Sequence, residues 1–434
     1  MNVLAQEINS ILKGSAAERL LSSLGRRLYF PKGIIAQSAE AKKNARGDFN
    51  ATIGIAVQGG KPLVLSAISE ALPALSPSEA VAYAPTAGVE QVRKAWKTEM
   101  GKKNPSLNTE NISLPVVVPG LTAGISYIAD LFLDEGDCIL ASDPCWDNYR
   151  LVITDRRGAS FREIPFFGNG NGFDMDAISR SIREAAKDGA VRIILNFPNN
   201  PSGYAPTKAE ADAFVALIKE IADKGSDVMV ICDDAYFGLF YEDETYRESL
   251  FARLASLHER VLAIKVDGPT KEDYVWGLRM GFVTFGSAGL NQEQYEGLIK
   301  KLMGAIRSSV SCSNSPAQYL MLKTLEDKRT GEEKRNYYEI LKKRYGAVKE
   351  CVKKQADHPA LRALPFNSGY FMSFRCKGLK AEELRQELLA KHGIGTIAFG
   401  DTYLRVAFSS VDLEKIPGLY EKIFETAAAL FKAE

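Results

Sequence analysis

One stretch of the chain decides its fold class: VRIILNFPNNPSGYAPTKAE (191–210). It opens with a short apolar run, continues through a segment rich in asparagine and proline, and ends on Thr207-Lys208-Ala209-Glu210. A threonine followed three residues later by a glutamate predicts a capping box, here opening a helix that ends near Gly225. The stretch therefore predicts a strand, a loop and a helix in succession.

The same alternation extends on both sides of this stretch. Other short apolar runs, rich in valine and isoleucine and typical of buried strands, are LPVVV (114–118), CILA (138–141), DVMVIC (227–232) and VLAIKV (261–266). Between two of these runs, apolar residues from Ile125 to Phe132 follow the i, i+3, i+4, i+7 spacing of a helix. Strands alternating with helices predict an α/β fold with a mostly parallel sheet, which binds ligands at the carboxyl ends of its strands.

The composition is that of an ordinary globular protein. A chain of 434 residues, 46% hydrophobic and 25% charged, is long enough for about two or three domains. Lys+Arg 55 against Asp+Glu 54 leaves a net charge of +1, so no overall field attracts nucleic acid or an anionic membrane. No apolar run has the length of a membrane-spanning helix. We therefore expect neither nucleic acid nor a membrane as a partner.

The cysteines, histidines and glycines argue against several kinds of site. Six cysteines are scattered without a CxxC pair, which favours the reduced thiols of a cytoplasmic enzyme. The histidines (His258, His358 and His392) lie far apart in the sequence, so neither a metal site nor a serine–histidine triad is expected. The chain has no GxxxxGK[ST] and no GxGxxG opening a helix, so nucleotide binding is unsupported.

The last quarter of the chain changes character. A charge-dense stretch from about Glu332 to Gln355 predicts a long helix whose charged residues form a solvated face. The tail contains SGYFMSF (368–374), another helical pattern and TYLRVAFSS (402–410), which together suggest a small α+β domain. We expect residues 1–60 to pack with this small domain, which spans 326–434, and residues 61–325 to form the large domain.

Three motifs follow predicted strands and carry candidate chemistry: NFPNNPSGYAPT (196–207), CDDAYFG (232–238) and KVDGPTKEDYVWGLRMGF (265–282). Taken alone, each has a structural explanation, as a turn, a helix cap or a solvated lysine. Strand alternation points Asp233 and Asp234 to opposite sides, so at most one of them faces a given site. A lysine such as Lys271 becomes an imine-forming nucleophile when a cleft desolvates it.

In this order, the three motifs resemble those of the class I/II aminotransferases, enzymes of fold type I that use pyridoxal 5′-phosphate (PLP). The resemblance runs from about Gly54 to Arg405, most of the chain. It implies a large PLP-binding domain with a mostly parallel seven-stranded sheet flanked by helices, plus a smaller α+β domain. It also implies the activity, a ping-pong transfer of an amino group from an L-amino acid to a 2-oxo acid, with aspartate or an aromatic amino acid as the expected donor.

The resemblance implies a role for each residue of the motifs. Lys271 matches the lysine that forms an imine with PLP and moves the substrate proton. Asp233 matches the acid that keeps the pyridine nitrogen protonated, so that the ring accepts electrons. Tyr236 and Asn200 match the pair that hydrogen-bonds the 3′-oxygen of the cofactor.

A second group of residues matches the family's phosphate site. VVVPGLTAG (116–124) predicts a strand, a turn and a helix start, whose free N–H groups attract anions. Gly120, Leu121 and Thr122 fall where the family cradles the phosphate. Arg279, in the G-x-R-x-G pattern, matches the arginine that grips the same phosphate.

Five further residues complete the implied site. Thr270 adds a hydroxyl beside Lys271, and Trp146 matches the aromatic ring that stacks on PLP. Tyr83, in AYAPTAG (82–88), matches a tyrosine that reaches the phosphate of the neighbouring subunit, which implies a homodimer with shared active sites. Arg405 matches the arginine that binds the substrate α-carboxylate, and Gly54 lies in the segment near the substrate.

Three positions depart from the family's aspartate-specific members. Tyr149 replaces a histidine behind the pyridine-binding aspartate, and Gly268 replaces a serine three residues before the lysine. Arg307 lies near the position of an arginine that binds the substrate's side-chain carboxylate from the other subunit, but two extra residues separate it from the Ser-Asn pair. Dicarboxylate preference is therefore open.

Two alternatives to an aminotransferase are compatible with parts of this pattern. A PLP-dependent lyase on the same fold retains residues of the Lys271, Asp233 and Arg405 types and releases ammonia and a keto acid. A non-catalytic regulator with an aminotransferase-like domain usually adds a basic DNA-binding module, which this sequence does not show.

Overall fold

The structure is a computed structural model of the chain, and it describes all residues except 14, 16–18, 20, 30–32, 47, 48, 169–171 and 432–434. The α-helices, in chain order, are α1 (Val3–Ile11), α2 (Ser23–Arg27), α3 (Ile34–Asn44), α4 (Ser66–Ala71), α5 (Pro77–Val81), α6 (Glu90–Lys103), α7 (Leu121–Phe132), α8 (Asn148–Arg150), α9 (Met175–Ala186), α10 (Lys208–Asp223), α11 (Leu250–Leu254), α12 (Pro269–Glu272), α13 (Gln292–Arg307), α14 (Ser315–Glu326), α15 (Thr330–Lys353), α16 (Ala381–Glu387) and α17 (Ile416–Leu430). The strands are β1 (Val57–Gln58), β2 (Lys61–Pro62), β3 (Val116–Val118), β4 (Cys138–Asp143), β5 (Ser160–Pro165), β6 (Ala190–Asn196), β7 (Asp227–Asp233), β8 (Val261–Asp267), β9 (Gly281–Gly286), β10 (Leu361–Ala363), β11 (Phe371–Cys376), β12 (Ile397–Phe399) and β13 (Tyr403–Ala407).

The largest sheet has seven strands in the order β3-β9-β8-β7-β6-β4-β5. From β8 to β5 the strands are parallel, whereas β9 is antiparallel to both of its neighbours. Helix α10 packs on one face and helices α7 and α13 on the other, which buries two separate hydrophobic cores. The predicted α/β fold with a mostly parallel seven-stranded sheet is confirmed.

The five apolar runs predicted as strands are β3, β4, β6, β7 and β8. Strand β5 escaped prediction because Ile164 is the only one of its six residues that is buried, so it has no apolar run. It lies at the edge of the sheet, where a strand needs fewer apolar side chains.

The capping box that opens α10 is present. The backbone N–H of Glu210 donates to Thr207 Oγ1 over 3.2 Å, and the Thr207 N–H donates to Glu210 Oε2 over 2.8 Å. Phe214 and Ile218 on this helix are buried against the sheet. Among the helices of the described residues, none has the length and apolarity to cross a membrane.

A second, antiparallel sheet has the order β10-β11-β13-β12 and its own hydrophobic core. The N-terminal segment contacts this sheet: Gln37 exchanges two hydrogen bonds with the backbone of Ala398, and the Ala51 N–H donates to the Gly395 carbonyl. It also contacts the large sheet's side of the molecule, where Arg27 donates to the Asp155 carbonyl. The packing of residues 1–60 with the small domain and the division into domains stay predictions.

The charge-dense stretch forms the predicted long helix, α15, and most of its charged side chains are exposed, but Lys334 and Arg344 are exceptions. Lys334 Nζ lies 2.9 Å from Asp273 Oδ1 and 3.2 Å from Glu272 Oε1, next to the lysine of the third motif. Arg344 is 1% exposed and donates to the Ser409 carbonyl. The sequence pattern missed these pairs because the partners lie far away along the chain.

Candidate active site

A cavity of about 240 Å³ lies at the carboxyl ends of β6, β7 and β8, and it gathers most of the predicted site residues. The predicted residues that line it are Leu121, Thr122, Trp146, Asn200, Asp233, Tyr236, Thr270, Lys271 and Arg279. A larger cavity of about 690 Å³ lies at the amino ends of the same strands, and none of the predicted residues lines it. The position and the chemistry of the lining, not its volume, identify the smaller cavity as the candidate site.

Lys271 lies in the short helix α12, just after β8 ends. Burial lowers the pKa of its amine to about 8, an effect that Asp233 opposes and Arg279 reinforces. The amine lies 4.9 Å from the centre of the Tyr236 ring. Tyr370 OH donates to the Lys271 carbonyl over 2.9 Å, which holds the backbone of this turn. Because its pKa is low, the amine has a substantial neutral fraction at physiological pH.

Asp233 ends β7, on the wall of the cavity. Tyr149 OH donates to its Oδ2, whereas its buried Oδ1 has no hydrogen-bond partner within the described part of the chain. Burial raises the pKa of this carboxyl to about 6, against the opposing effects of the Tyr149 hydroxyl and Lys271. An unpaired, buried carboxylate oxygen in a cavity is a position for a hydrogen-bond donor from a ligand.

The two neighbouring aspartates separate as strand alternation predicts. Asp234 points to the opposite face of the sheet, where it contacts Lys265 Nζ and accepts a hydrogen bond from Ser249 Oγ over 2.6 Å. Asp233 therefore is the one of the pair that faces the cavity.

Arg405 reaches the site from β13 of the second sheet. Its Nη1 donates to Asn200 Oδ1 over 2.8 Å, and its Nη2 donates to the Thr52 carbonyl over 2.9 Å. Burial lowers its pKa to about 10, so the guanidinium stays charged at neutral pH. Both partners are neutral, so within the described residues no carboxylate bonds to this positive charge. This charge can attract the carboxylate of a substrate.

Gly54 lies close to the same group of residues. A Cβ at this position would lie 3.0 Å from the Phe371 ring and 3.4 Å from Tyr236 OH. The Phe371 ring in turn lies 4.2 Å from the Arg405 guanidinium. A glycine here leaves room between the N-terminal segment and Arg405.

The start of α7 and Arg279 form an anion site. Gly120, at φ 92°, lets the chain turn into a helix that has no side-chain cap, so its first N–H groups are free for a ligand. A Cβ on Gly120 would lie 2.5 Å from Arg279 Nη2, so the glycine leaves space for the guanidinium beside the backbone. A phosphate fits this arrangement of charge and N–H donors.

Thr270 and Trp146 complete the wall of the cavity. Thr270 Oγ1 donates to the Met280 carbonyl over 3.4 Å, a long bond that leaves the hydroxyl near the anion site. The ring of Trp146 packs edge-on against Tyr149, with 5.3 Å between ring centres. The packing against Tyr149 fixes the orientation of the Trp146 ring at the cavity.

The structure does not bring Tyr83 or Arg307 to the cavity of their own chain. Tyr83 is 93% exposed, and Arg307 is exposed at the end of α13, where it donates to Ser311 Oγ.

Close packing explains why residue 268 is a glycine and not a serine. A Cβ on Gly268 would lie 2.9 Å from Gly281 Cα and 3.0 Å from the Met280 carbonyl. A serine at Gly268 would therefore push β8 and β9 apart.

Sequence reasoning missed three residues that line the cavity: Ile125, Asn196 and Ala235. Asn196 matters most, because its Nδ2 donates to the Asp233 carbonyl over 2.8 Å and its Oδ1 accepts from the Asn200 N–H over 2.7 Å. Its position as the last residue of β6 was a usable signal. Asn196 connects the ends of two parallel strands and so stabilises the arrangement of Asp233 and Asn200.

The site fits PLP at both ends of the cofactor. The unpaired Oδ1 of Asp233 suits the protonated ring nitrogen, and the start of α7 with Arg279 suits the phosphate. A lysine with a lowered pKa lies in the same cavity and suits the aldehyde. A mostly parallel sheet with these groups at its carboxyl edge defines a PLP-dependent enzyme of fold type I.

The chain belongs to the family of class I and II aminotransferases, whose model matches residues 54–423. Aspartate/prephenate aminotransferase from Thermus thermophilus is 23% identical over 340 residues, 77% of this chain and 80% of that protein. Aromatic-amino-acid aminotransferase 2 from Thermococcus litoralis is 21% identical over 355 residues, 79% of this chain and 84% of that protein. A solved aminotransferase structure from Anaerococcus prevotii is 26% identical, with a TM-score of 0.81 over 92% of this chain and 98% of that one. The protein is a PLP-dependent aminotransferase that acts on an amino acid and a 2-oxo acid.

Proposed function

We propose that Lys271, Asp233 and Arg405 divide the work of amino-group transfer between an L-amino acid and a 2-oxo acid. The observation that carries this assignment is that the Lys271 amine and Asp233 Oδ1, which has no hydrogen-bond partner within the described residues, lie at one cavity. The Arg405 guanidinium bonds to Asn200, which lines the same cavity. When bound, PLP supplies an electron-withdrawing ring that stabilises negative charge at the substrate Cα.

Lys271 and Asp233 hold protons at opposite ends of the reaction. Lys271 Nζ would hold the cofactor through its aldehyde; once the substrate amine has taken that place, the released neutral amine would accept the proton of the substrate Cα. Asp233 Oδ1 accepts the hydrogen bond of the protonated ring nitrogen, and Tyr149 keeps the other oxygen oriented. Tyr236 and Asn200 bind the 3′-oxygen, while Trp146 packs on the ring face.

Gly120, Leu121, Thr122, Thr270 and Arg279 bind the phosphate in this proposal. The free N–H groups of the first turn of α7 and the Arg279 guanidinium offset its charge.

Arg405 binds the α-carboxylate of the donor and then that of the 2-oxo acid acceptor, with Gly54 beside it. The first 2-oxo acid leaves before the second enters, because both need the same guanidinium. We propose aspartate or an aromatic amino acid as the donor, which is supported by the activities named for the two relatives from Thermus and Thermococcus. The part of Arg307 in binding a side-chain carboxylate depends on a second subunit.

We also propose a homodimer with shared active sites, in which Tyr83 reaches the partner's phosphate. The support is the exposure of Tyr83, at 93%, beside Val81, at 83%. In a mixed dimer, a Lys271→Ala chain combined with a Tyr83→Phe chain is expected to recover one intact site. Light scattering measures the dimer directly.

We also propose a large domain at 61–325 and a small domain at 326–434, with residues 1–60 on the small domain. The support is that the antiparallel sheet packs on a core separate from the two that flank the large sheet, although residues such as Tyr236 and Leu320 also join that core. Limited proteolysis checks this division. The cytoplasmic location stays a prediction, which cell fractionation tests.

A half-reaction tests the proposed function. The purified, PLP-loaded protein is mixed with single amino acids without a keto acid, and the visible absorbance of bound PLP is followed. Loss of this absorbance with one equivalent of keto acid establishes amino-group transfer and identifies the donor. Continued production of keto acid and ammonia would instead support the lyase. Lys271→Ala is the control in which neither occurs.

A further inference from the structure

Behind the cavity, on the opposite face of the large sheet, three buried charged residues form a group that the proposed reaction does not use. Lys265 is 1% exposed; its Nζ contacts Asp234 Oδ2 and lies 3.5 Å from Asp267 Oδ2. We name these three residues the rear cluster. Two carboxylates against one ammonium leave the cluster with one net negative charge.

Neutral side chains contact the rear cluster, and the charge of Lys103, which lies over the Trp96 ring, acts on Asp267. Ser249 Oγ donates to Asp234 Oδ2 over 2.6 Å, and Trp96 Nε1 donates to Asp267 Oδ1 over 3.1 Å. The ring of Phe237 lies 4.8 Å from Lys265 Nζ. Burial lowers the pKa of Lys265, but Asp234 and Asp267 outweigh it and leave the pKa above its ordinary value. The ammonium therefore stays charged throughout the pH range of catalysis.

The rear cluster is adjacent to the cavity through the backbone. Asp234 directly follows Asp233, and the Asp234 N–H donates to the Val266 carbonyl, which joins the ends of β7 and β8. Charges interact strongly across such a short, dry distance. Among the described residues, the titratable groups whose charges act on Asp233 are Tyr149 from α8, Lys271 from α12, and Cys232, Asp234 and Tyr236 from its own strand and the turn after it.

The negative charge of Asp234 favours the protonated form of Asp233. Burial is the main cause of the raised pKa of Asp233, and the negative charge of Asp234 raises it further. Lys265 is the only cation that touches Asp234 among the described residues. Removing the ammonium would therefore leave Asp234 uncompensated beside the carboxylate that the pyridine nitrogen needs.

We propose that Lys265 is a positioning residue for the cofactor, which neutralises Asp234 from behind the sheet and so keeps Asp233 ionised. The proposal rests on the proposed contact between Asp233 and the pyridine nitrogen. The ionisation of Asp233 in the cavity therefore depends on the net charge of the rear cluster and not only on its packing.

The test is the pH dependence with which the apoprotein binds pyridoxine 5′-phosphate, measured by calorimetry. This compound has the ring and the phosphate but no aldehyde, so it reports on Asp233 without bonding to Lys271. In the wild type, affinity falls as the pH falls through about 6, because protonated Asp233 no longer attracts the pyridinium. The phosphate of the compound also takes up a proton at about pH 6, so the acid loss assigned to Asp233 is the part beyond that measured with inorganic phosphate.

Two single variants change the cluster's charge in opposite directions, and their combination restores it. Lys265→Met makes it more negative and is expected to raise the midpoint of the acid loss by about one pH unit, a typical effect of one neighbouring charge. Asp234→Asn makes it less negative and is expected to lower the midpoint by a similar amount. The double variant restores the original net charge and is expected to return the midpoint to the wild-type value.

Ser249→Ala is the matched control, because it removes a neutral partner of Asp234 without changing the charge. A structural role alone predicts that all these variants weaken binding at every pH without moving the midpoint, and that result overturns the proposal. If Lys265→Met does not fold, the two other variants still distinguish the possibilities. Asp234→Asn is expected to lower the midpoint, whereas the double variant is expected to leave it at the wild-type value.

The variant Asp233→Asn distinguishes a failure of this proposal from a failure of the proposed contact between Asp233 and the ring nitrogen, on which the proposal rests. If that variant keeps the acid loss, the assigned contact of Asp233 with the ring nitrogen is wrong. If it abolishes the acid loss while Asp234→Asn leaves the midpoint in place, the contact stands and only the role of the rear cluster fails.

Discussion

Two lysines on one strand and the turn that follows it have opposite environments. Lys265 lies behind the sheet against two carboxylates, and its pKa is above the ordinary value. Lys271, six positions later, lines the cavity, where burial lowers its pKa to about 8 and Asp233 opposes the shift only in part. Both amines are removed from water, so burial alone does not decide their charge. The number of carboxylates in contact decides it, and the lysine without a bonded carboxylate is left free for chemistry.

The largest expected effect comes from deleting the cavity lysine. Lys271→Ala is expected to abolish the visible absorbance of bound PLP and to lower kcat by more than about 10⁴-fold, because the variant loses both the nucleophile and the proton acceptor. Absorption spectra and steady-state kinetics measure the two effects. Lys343→Ala, an exposed lysine on α15, is the control and retains both properties. Retained activity in Lys271→Ala would contradict the whole assignment.

The same substitution at the two lysines sharpens the comparison. Lys265→Met is expected to lower the free energy of unfolding of the apoprotein by about 3–5 kcal/mol, since it leaves Asp234 and Asp267 buried without their cation. Lys271→Met is expected to change it by less than about 1 kcal/mol, because no bonded carboxylate loses its partner. Urea denaturation measures both. Equal destabilisation by the two variants would show that pairing does not distinguish the lysines.

Arg405 extends the comparison to a third buried cation, one bonded only to neutral oxygens. Arg405→Lys is expected to lower kcat/KM for the amino donor by about 100-fold, because a lysine cannot form the paired hydrogen bonds to a carboxylate. Affinity for PLP should change little. Arg375→Lys, on the neighbouring strand, is the control, and a similar loss there would point to a general effect on the second sheet.

The smallest expected effect concerns pH. PLP bonds to the apoprotein through the neutral amine of Lys271, whose fraction falls tenfold for each pH unit below the pKa. The loading rate is therefore expected to level off above pH 8 and to fall about tenfold between pH 7 and pH 6. Stopped-flow absorbance measures this profile. A plateau that begins only near pH 10 would mean that Lys271 is not desolvated.

Much of this molecule was predictable from local patterns. The strands β3, β4, β6, β7 and β8 are near-continuous apolar runs, and the capping box marks the start of α10. The edge strand β5 was missed because only one of its residues is buried. The buried pairs of α15 were missed because a charge run looks the same whether its partners are water molecules or distant carboxylates.

The residues of the candidate site also divide into those that local sequence patterns predict and those that they do not. Nine predicted residues line one cavity. Most lie at or after the carboxyl ends of strands, which meet at one edge of the sheet, and Arg279 reaches that edge just before the antiparallel strand β9. Tyr83 does not join them in its own chain, since its proposed role needs a second subunit. Asn196 was missed because its function lies in linking two strand ends, which no single motif reveals.

The sequence alone determined the order of strands and helices, the family, and the presence of a lysine, an aspartate and an arginine at the ends of particular elements. These properties depend on residue type and on spacing over a few turns. Only the tertiary structure decided that Tyr149 bonds to Asp233, that Lys265 pairs with Asp234 and Asp267, and that Lys271 is buried without a bonded carboxylate from the part of the chain that the structure describes. The charge state of a buried group depends on which distant residues share its space, and folding brings those residues together.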